Sequence, residues 1–235
     1  MSTFEVKLQG REEVAEGTMA FHFEKPAAFT FKAGQAIDVV LPKPPTGDAQ
    51  SARHTFSIVT APFESDLLIA TRMRDSAFKR ALKSLAIGSV VGIEGPFGSL
   101  TLHRDPARPA VFIAGGIGIT PFVSMLRQAA KDGLPRKLLL LYSNRRPKDA
   151  AFLAELQELE RRGENFRLIA TMTALSESDT SWAGETGSID RAMIERAGGS
   201  LTEATYYLAG PPGMVEAMRQ VLDEAGVSDD AVRSE

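Results

Sequence analysis

Residues 110–121 read AVFIAGGIGITP. Five apolar residues have the length of a short buried strand, and the glycines that follow allow the backbone to turn tightly. Thr120 is predicted as the N-cap of a helix, and Pro121 as its first residue. The free N–H groups at such a helix start face an anion, so this stretch predicts a phosphate-binding turn in an α/β domain.

A second turn of the same kind lies near the end of the chain, where residues 206–214 read YYLAGPPGM. Between the two turns, apolar runs alternate with amphipathic segments. The predicted strands are Ala110–Ala114, Lys137–Tyr142, Phe166–Thr171 and Tyr206–Ala209, and the predicted helices are Pro121–Lys131, Ala150–Arg161 and Pro212–Ala225. This alternation is typical of βαβ units and a parallel sheet, in which ligands bind at the carboxyl ends of the strands.

The first hundred or so residues follow a different pattern, with short apolar runs separated by glycine and proline. The predicted strands are Phe4–Leu8, Thr18–Phe23, Ala36–Leu41, Thr55–Val59, Leu67–Thr71 and Val90–Glu94. One helix, Ser76–Leu85, interrupts them, so a small closed barrel is expected. We therefore predict two domains: an antiparallel β-barrel with one helix (residues 1–104) and a Rossmann-like α/β domain with a parallel sheet (residues 105–235).

The composition excludes several kinds of chemistry. Among 235 residues there is no cysteine and there are only three histidines, whose spacing does not match a metal site. Disulfides, thiolate-bound metals and thiol nucleophiles are excluded for this chain, no metal is expected, and redox chemistry would need an organic cofactor. A net charge of −3 does not indicate a nucleic-acid partner. No apolar run approaches a membrane span and no signal peptide is evident, so we expect a cytoplasmic protein.

Three blocks of sequence carry a resemblance to a known family: His54-Thr55-Phe56-Ser57, Gly115–Pro121 and Ala209–Met214. In their order and separation the chain resembles the ferredoxin–NADP reductase superfamily, in which a flavin-binding barrel is joined to a nucleotide-binding domain. The resemblance implies FAD as the cofactor and NADPH or NADH as the hydride donor. It also implies that the flavin passes electrons on to a second acceptor.

The resemblance assigns flavin contacts to His54, Thr55, Phe56, Ser57, Ala70, Thr71, Arg72, Asp75 and Ser76. In the family, an aromatic residue at Phe56 packs on the isoalloxazine ring, and a hydroxyl at Ser57 hydrogen-bonds near N5. His54 stands where relatives carry an arginine that meets a flavin phosphate. Arg53 is one residue early and would face the other side of the strand, so Arg72 or Arg74 is the candidate replacement for the missing charge. The alternative is that Asp75 or Ser76 merely caps a helix.

The resemblance assigns nucleotide contacts to Gly115, Gly116, Ile117, Gly118, Thr120, Asn144, Arg145, Ala209, Gly210, Pro211, Pro212 and Met214. Ser57 and Thr120 are implied as the catalytic residues, where flavin and nicotinamide meet. Arg145 matches an arginine that contacts the 2′-phosphate of NADPH in relatives, which favours NADPH. Met172-Thr173, however, replaces the Ser-Arg pair of NADPH-specific relatives, so NADH stays open.

The expected partner is a ferredoxin- or flavodoxin-like carrier acting on a monomeric reductase. A cluster of cationic residues is one candidate docking surface, or else a solvated helix face: Arg72, Arg74, Lys79, Arg80 and Lys83. Two alternatives to a ferredoxin or flavodoxin reductase remain. One is a flavin reductase or the reductase component of a multicomponent oxygenase. The other, suggested by His54, is a nucleotide-binding module that has lost its flavin.

Overall fold

The computed structural model describes residues 2–178, 180–198 and 201–234, and these form two six-stranded sheets. The first sheet contains strands β1 (Ser2–Ala15), β2 (Thr18–Glu24), β3 (Ala36–Val40), β4 (Arg53–Ser57), β5 (Asp66–Arg72) and β6 (Val90–Phe97), with helix α1 (Ala77–Ser84) between β5 and β6. The strand order is β4-β3-β6-β1-β2-β5, and neighbouring strands are antiparallel.

The two outer strands of this sheet meet and close it into a barrel. Ile58, directly after β4, forms an antiparallel bridge with Ile69 of β5, and the Val59 N–H donates to the Leu68 carbonyl at 2.8 Å. Alternate residues point inward, and Phe21, Ile37, Ile58 and Ile69 are fully buried there. The predicted antiparallel barrel with one helix is confirmed, although β1 extends beyond its predicted end at Leu8.

The second sheet contains strands β7 (Ala110–Gly115), β8 (Leu138–Asn144), β9 (Phe166–Met172), β10 (Glu185–Thr186), β11 (Thr205–Ala209) and β12 (Val232–Ser234). Its helices are α2 (Thr120–Asp132), α3 (Leu153–Arg162), α4 (Arg191–Gly198) and α5 (Pro212–Glu224). All neighbouring strands are parallel, in the order β10-β9-β8-β7-β11-β12. The predicted parallel sheet is confirmed. Two short edge strands, β10 and β12, and helix α4 were not predicted.

The strand order reverses at β7, which has β8 on one side and β11 on the other. In parallel sheets the helices on the two sides of such a reversal lie on opposite faces, which leaves a crevice at the carboxyl ends of the strands. The packing agrees: Leu140 and Tyr142 of β8 share a cluster with α2 and α3, whereas Leu139 and Leu141 share one with α4 and α5. The crevice therefore opens beside the turns that follow β7 and β11.

Helix α2 joins the two sheets. The buried Ser124 Oγ donates to the Thr60 carbonyl of the barrel at 2.7 Å, and one turn later Arg127 donates to Glu64 at 3.3 Å. One hydrophobic cluster also contains residues from both sides, among them Ala70 and Phe122. Within the described ranges, no helix has both the length and the apolar character needed to cross a membrane.

Candidate functional site

The two glycine turns lie side by side at the carboxyl edge of the second sheet. Ala114, near the end of β7, is paired with Ala209, the last residue of β11. A Cβ on Gly118 would be 2.4 Å from the Ala209 carbonyl oxygen, and a Cβ on Gly210 would be 2.9 Å from the Gly115 nitrogen. The backbones of the turns are therefore in direct contact, which only glycine permits at these positions.

The Met214 side chain supports this contact. A Cβ on Gly115 would be 2.6 Å from the Met214 sulfur, and a Cβ on Gly210 would be 2.8 Å from its terminal methyl group. Pro211 precedes α5, and Pro212 is its first residue. The structure thus brings Met214 and the second turn against the first turn, as a shared nucleotide site requires.

Thr120 is not the N-cap of α2, and that prediction was wrong. A short 3₁₀ turn, Gly116–Ile119, runs directly into the helix, so Ile119 is the N-cap and Thr120 already has helical φ and ψ of −54° and −49°. The buried Thr120 hydroxyl instead donates back to the Ile117 carbonyl at 3.1 Å. The free backbone N–H groups at the start of this continuous helix therefore belong to the 3₁₀ turn, because the Thr120 N–H donates to the Ile117 carbonyl and Pro121 has no N–H.

Strand β4 separates its side chains onto two faces. Arg53 forms ion pairs with Asp38 at 2.9 Å and Glu94 at 2.7 Å, and these carboxylates raise its pKa. The Thr55 hydroxyl donates to Asp38 on the same side. The Arg53 side chain is thus paired with carboxylates of β3 and β6. As the alternation of the strand predicted, it lies on the opposite face of β4 from the His54 side chain.

The other face of β4 carries His54 and Phe56. Their rings are stacked, with centroids 4.7 Å apart and planes 18° apart, and the His54 centroid is also 5.4 Å from that of Phe78 in α1. The His54 Nδ1 donates to the Thr55 carbonyl at 3.0 Å, while Phe56 and Ser57 are buried. These contacts place the sequence-predicted flavin residues of β4 next to the start of α1.

The segment between β5 and α1 holds the other predicted flavin residues. Ala70 and Thr71 are buried in β5, and Ser76 is the N-cap of α1 but makes no side-chain capping bond. Arg72 pairs with Asp149 of the second domain at 3.3 Å, and Asp75 pairs with Arg80. Of the two arginines proposed to replace the missing positive charge near the flavin phosphate, Arg72 is therefore already paired with a carboxylate of the second domain. Arg74 is exposed and makes no ion pair within the part of the chain that the structure describes.

Asn144, the last residue of β8, is an unusual feature of this edge. The residue is 6% exposed, and neither amide atom completes a hydrogen bond of good geometry among the described residues. The Tyr142 hydroxyl, on the same face of the strand, donates to the Ala151 carbonyl at 3.1 Å; burial raises the pKa of Tyr142, and the nearby Asn144 side chain partly offsets this. Buried amides without a well-formed hydrogen bond are uncommon, so Asn144 is a candidate for contact with a ligand.

Both arginines after β8 have carboxylate partners that sequence reasoning missed. Arg145 donates to Glu177 at 2.7 Å. Arg146 makes two bonds to Asp149, at 2.9 and 2.8 Å, and its guanidinium lowers the pKa of that carboxyl. Nothing in the local sequence signals the pair of Arg145 and Glu177, since Glu177 follows Arg145 by 32 residues.

The predicted residues thus form two groups. The nucleotide group surrounds the paired glycine turns and the end of β8, and the flavin group surrounds β4, β5 and the start of α1. The 3₁₀ turn Gly116–Ile119 contacts β5, so the two groups adjoin. Two side chains point away from the flavin group: Thr55 faces Asp38, and Arg72 pairs with Asp149 of the second domain.

Comparison with known proteins identifies the class that this fold and site define. Residues 112–220 match the family model described as the oxidoreductase NAD-binding domain. Ferredoxin--NADP reductase B of Sorangium cellulosum is 32% identical over 236 residues, which cover 95% of this chain and 93% of the relative. The chain belongs to the ferredoxin–NADP reductase superfamily.

Other relatives are longer proteins. The glycine betaine monooxygenase reductase subunit of Chromohalobacter salexigens is 29% identical over 212 residues, and the match covers 89% of this chain but 56% of that protein. The chain therefore spans a little more than half the length of such oxygenase-reductase relatives. Among solved structures, a ferredoxin NADP+ reductase from Neisseria gonorrhoeae with bound FAD and NADP superimposes with a TM-score of 0.84 at 19% identity. That match covers 99% of this chain and 98% of the other, which shows the shared fold.

Proposed function

We propose that this protein is a flavin-dependent NAD(P)H oxidoreductase that carries hydride from a nicotinamide to FAD and passes electrons to a second protein. One observation carries the proposal: two glycine turns in backbone contact open onto a crevice at the strand-order reversal, directly beside the barrel strand β5. Such a crevice is where parallel sheets bind nucleotides. The 32% identity to a ferredoxin--NADP reductase along 95% of the chain supports the same function.

The residues of the second domain fit a dinucleotide. The N–H groups of the 3₁₀ turn would bind its diphosphate, since these backbone donors lie at a positive helix end. The Asn144 amide, which forms no hydrogen bond of good geometry among the described residues, lies at the end of the adjacent strand and would gain such bonds from a ligand. We assign Thr120, the first residue of α2 after the first turn, and Ala209–Met214, which form the second turn, to the nicotinamide end.

The residues of the barrel fit a flavin with one adjustment. The uncapped start of α1 at Ser76, with the exposed Arg74, would hold the flavin diphosphate, and Phe56 would pack against the ring. In the structure the His54 ring covers Phe56. Because His54 is exposed and hydrogen-bonds to the neighbouring Thr55 carbonyl, rotation of its side chain would uncover Phe56 at small cost. FAD would supply the hydride acceptor, and Ser57 would lie near it.

The test is anaerobic stopped-flow reduction of FAD-loaded protein by NADPH and by NADH, followed through the loss of visible flavin absorbance. We expect at least one nucleotide to reduce the flavin completely in less time than manual mixing of two solutions takes. Failure with both nucleotides would contradict the proposed activity.

A second function has one observation in its favour. The stacking of His54 on Phe56, in a chain without the family arginine, is also what a nucleotide-binding module without flavin would show. Titration of the flavin-free protein with FAD separates the two. A bound-flavin spectrum supports the oxidoreductase, and a protein that stays colourless yet binds NADH supports the module.

For the partner, we propose a ferredoxin- or flavodoxin-like carrier, with an oxygenase component as the alternative that relatives such as the betaine monooxygenase reductase suggest. The cationic cluster on and before α1 is smaller than the sequence indicated. Arg72 and Arg80 form ion pairs, and Lys79 donates to the Arg72 carbonyl at 2.8 Å. Arg74 and Lys83 remain as candidates for contact with an acidic carrier. The monomeric state and the cytoplasmic location stay predictions.

A further inference from the structure

The ion pair of Arg145 and Glu177 is held at one end of the proposed nucleotide site by the backbone. Arg145 directly follows β8, and Glu177 ends a short 3₁₀ turn, Leu175–Glu177, after β9. The Thr173 N–H donates to the Asn144 carbonyl and the Ala174 N–H to the Arg145 carbonyl, both at 2.9 Å. The hydrogen bonding of these strands thus continues beyond the sheet and keeps the two loops together.

This position corresponds to the adenosine ribose, provided that the proposed function is correct. In a βαβ unit whose first turn binds the diphosphate, the residues that end the next strand lie beside the ribose 2′ position. The first turn here follows β7, and the next strand is β8. Arg145 and its partner Glu177 are therefore the charged groups nearest to the atom that distinguishes NADPH from NADH.

Among the described residues of the two loops, every cation has a carboxylate partner, which leaves no excess of positive charge for a 2′-phosphate. Arg145 is paired with Glu177 at 2.7 Å, Arg146 with Asp149 at 2.8 Å, and Lys148 with Glu16 at 2.9 Å. Strand β9 ends at the uncharged Met172, and Thr173 follows it. A phosphate dianion would have to compete with a carboxylate for Arg145.

We propose that Glu177 is a specificity-determining residue that makes this protein favour NADH over NADPH. Its Oε2 accepts from Arg145, whereas Oε1 makes no hydrogen bond within the described residues and is open to the ribose 2′-hydroxyl. A carboxylate only accepts hydrogen bonds, so it pairs with a hydroxyl but repels a phosphate. Arg145 positions the carboxylate. Because the two side chains are 60% and 56% exposed, the pair can be broken, and the result is a preference and not exclusion.

The test compares the natural protein with Glu177→Gln and Arg145→Gln. In FAD-loaded protein we measure kcat/KM for NADH and NADPH with ferricyanide as the electron acceptor. In parallel, calorimetry measures the binding of ADP-ribose and of 2′-phospho-ADP-ribose, which requires no hydride transfer. The natural protein should favour NADH and ADP-ribose, and Glu177→Gln should raise the relative preference for the phosphorylated probe on the order of tenfold at low salt. Arg145→Gln should not raise it.

Glu158→Gln is the matched control. Glu158 also pairs with exposed arginines, at 2.6 Å to Arg161, but it lies in the second half of α3, whereas Arg145 precedes that helix and Glu177 follows β9. This variant should leave both ratios unchanged. An unchanged ratio in Glu177→Gln, or a tenfold preference of the natural protein for NADPH, would overturn the proposal. If both probes bind but neither nucleotide reduces the flavin, the proposed activity fails while the binding ratios still decide the role of Glu177.

Discussion

Gly118→Ala tests whether the contact between the glycine turns sets the geometry of the site. The new Cβ would lie 2.4 Å from the Ala209 oxygen and 2.6 Å from the Gly210 nitrogen, whereas ordinary contacts begin at 3.4 Å. Both neighbours are backbone atoms of the second turn, so no flexible side chain can yield. The turns must therefore separate by about 1 Å, the difference between an ordinary contact and the one that the substitution creates.

A displacement of this size has two expected consequences. Overpacking in a rigid contact costs about 1–3 kcal/mol of unfolding free energy. A misplacement of about 1 Å between reacting groups lowers a rate by roughly 100-fold. We therefore expect Gly118→Ala to lower the rate of flavin reduction by NADH on the order of 100-fold, while FAD remains bound to the barrel.

The assays are stopped-flow flavin reduction and urea unfolding, with Gly10→Ala as the control. Gly10 lies in β1 of the barrel, and its added Cβ would meet His22 atoms at 3.9 and 4.0 Å, which are ordinary contacts. Gly10→Ala should therefore reduce its flavin at the natural rate. If the two variants reduce their flavins equally fast, the contact between the turns does not set the geometry.

Two further predictions concern the rest of the chain. Ser124→Ala leaves the buried Thr60 carbonyl without its donor and should lower the unfolding free energy in urea by about 1–3 kcal/mol, whereas Ser84→Ala, which loses an exposed bond, should change it little. A loss below about 0.5 kcal/mol would show that water replaces the bond. Burial also lowers the pKa of His103, whose Nδ1 meets the Tyr207 hydroxyl at 2.8 Å, below its ordinary 6.5. As the pH falls, the unfolded chain therefore binds the proton before the folded protein does. The contribution of His103 to the unfolding free energy is complete above pH 6.5 and falls as the pH drops through that value. His103→Gln should lose less unfolding free energy over this pH range, and equal losses in the two proteins would show that His103 is not the cause.

The sequence predicted the fold well because the fold depends on patterns that local sequence carries. Apolar runs between glycine turns gave the parallel sheet around β7, and short alternating runs gave the barrel. The strands that were not predicted are too short to carry a clear hydrophobic pattern. β10 has two residues and β12 three, and each gains its structure by pairing with an existing sheet edge. The error at Thr120 arose because a 3₁₀ turn precedes the helix and moves its start by one residue.

The chemistry of the candidate site was less predictable than its location. Glycine turns mark the nucleotide edge because their function depends on local backbone geometry. The partners of charged residues depend instead on which loops the fold brings together. Arg72 and Asp149 are 77 residues apart, and the pairing removes from the flavin group an arginine that the sequence had assigned to it. Such a change in role follows only from three-dimensional contacts.

Helix α2 connects the nucleotide turn to the barrel, and this has a consequence for how the site moves. Ser124, Arg127 and Lys131 are spaced three and four residues apart, so they lie on one face. That face contacts the barrel loop 60–64 through a 2.7 Å hydrogen bond, an ion pair and a cation 5.7 Å from the Phe63 ring centroid. The same helix begins at the glycine turn. Any shift of that turn along the helix axis must therefore strain the contacts with the barrel, so the distance between the flavin group and the nucleotide group is set by α2.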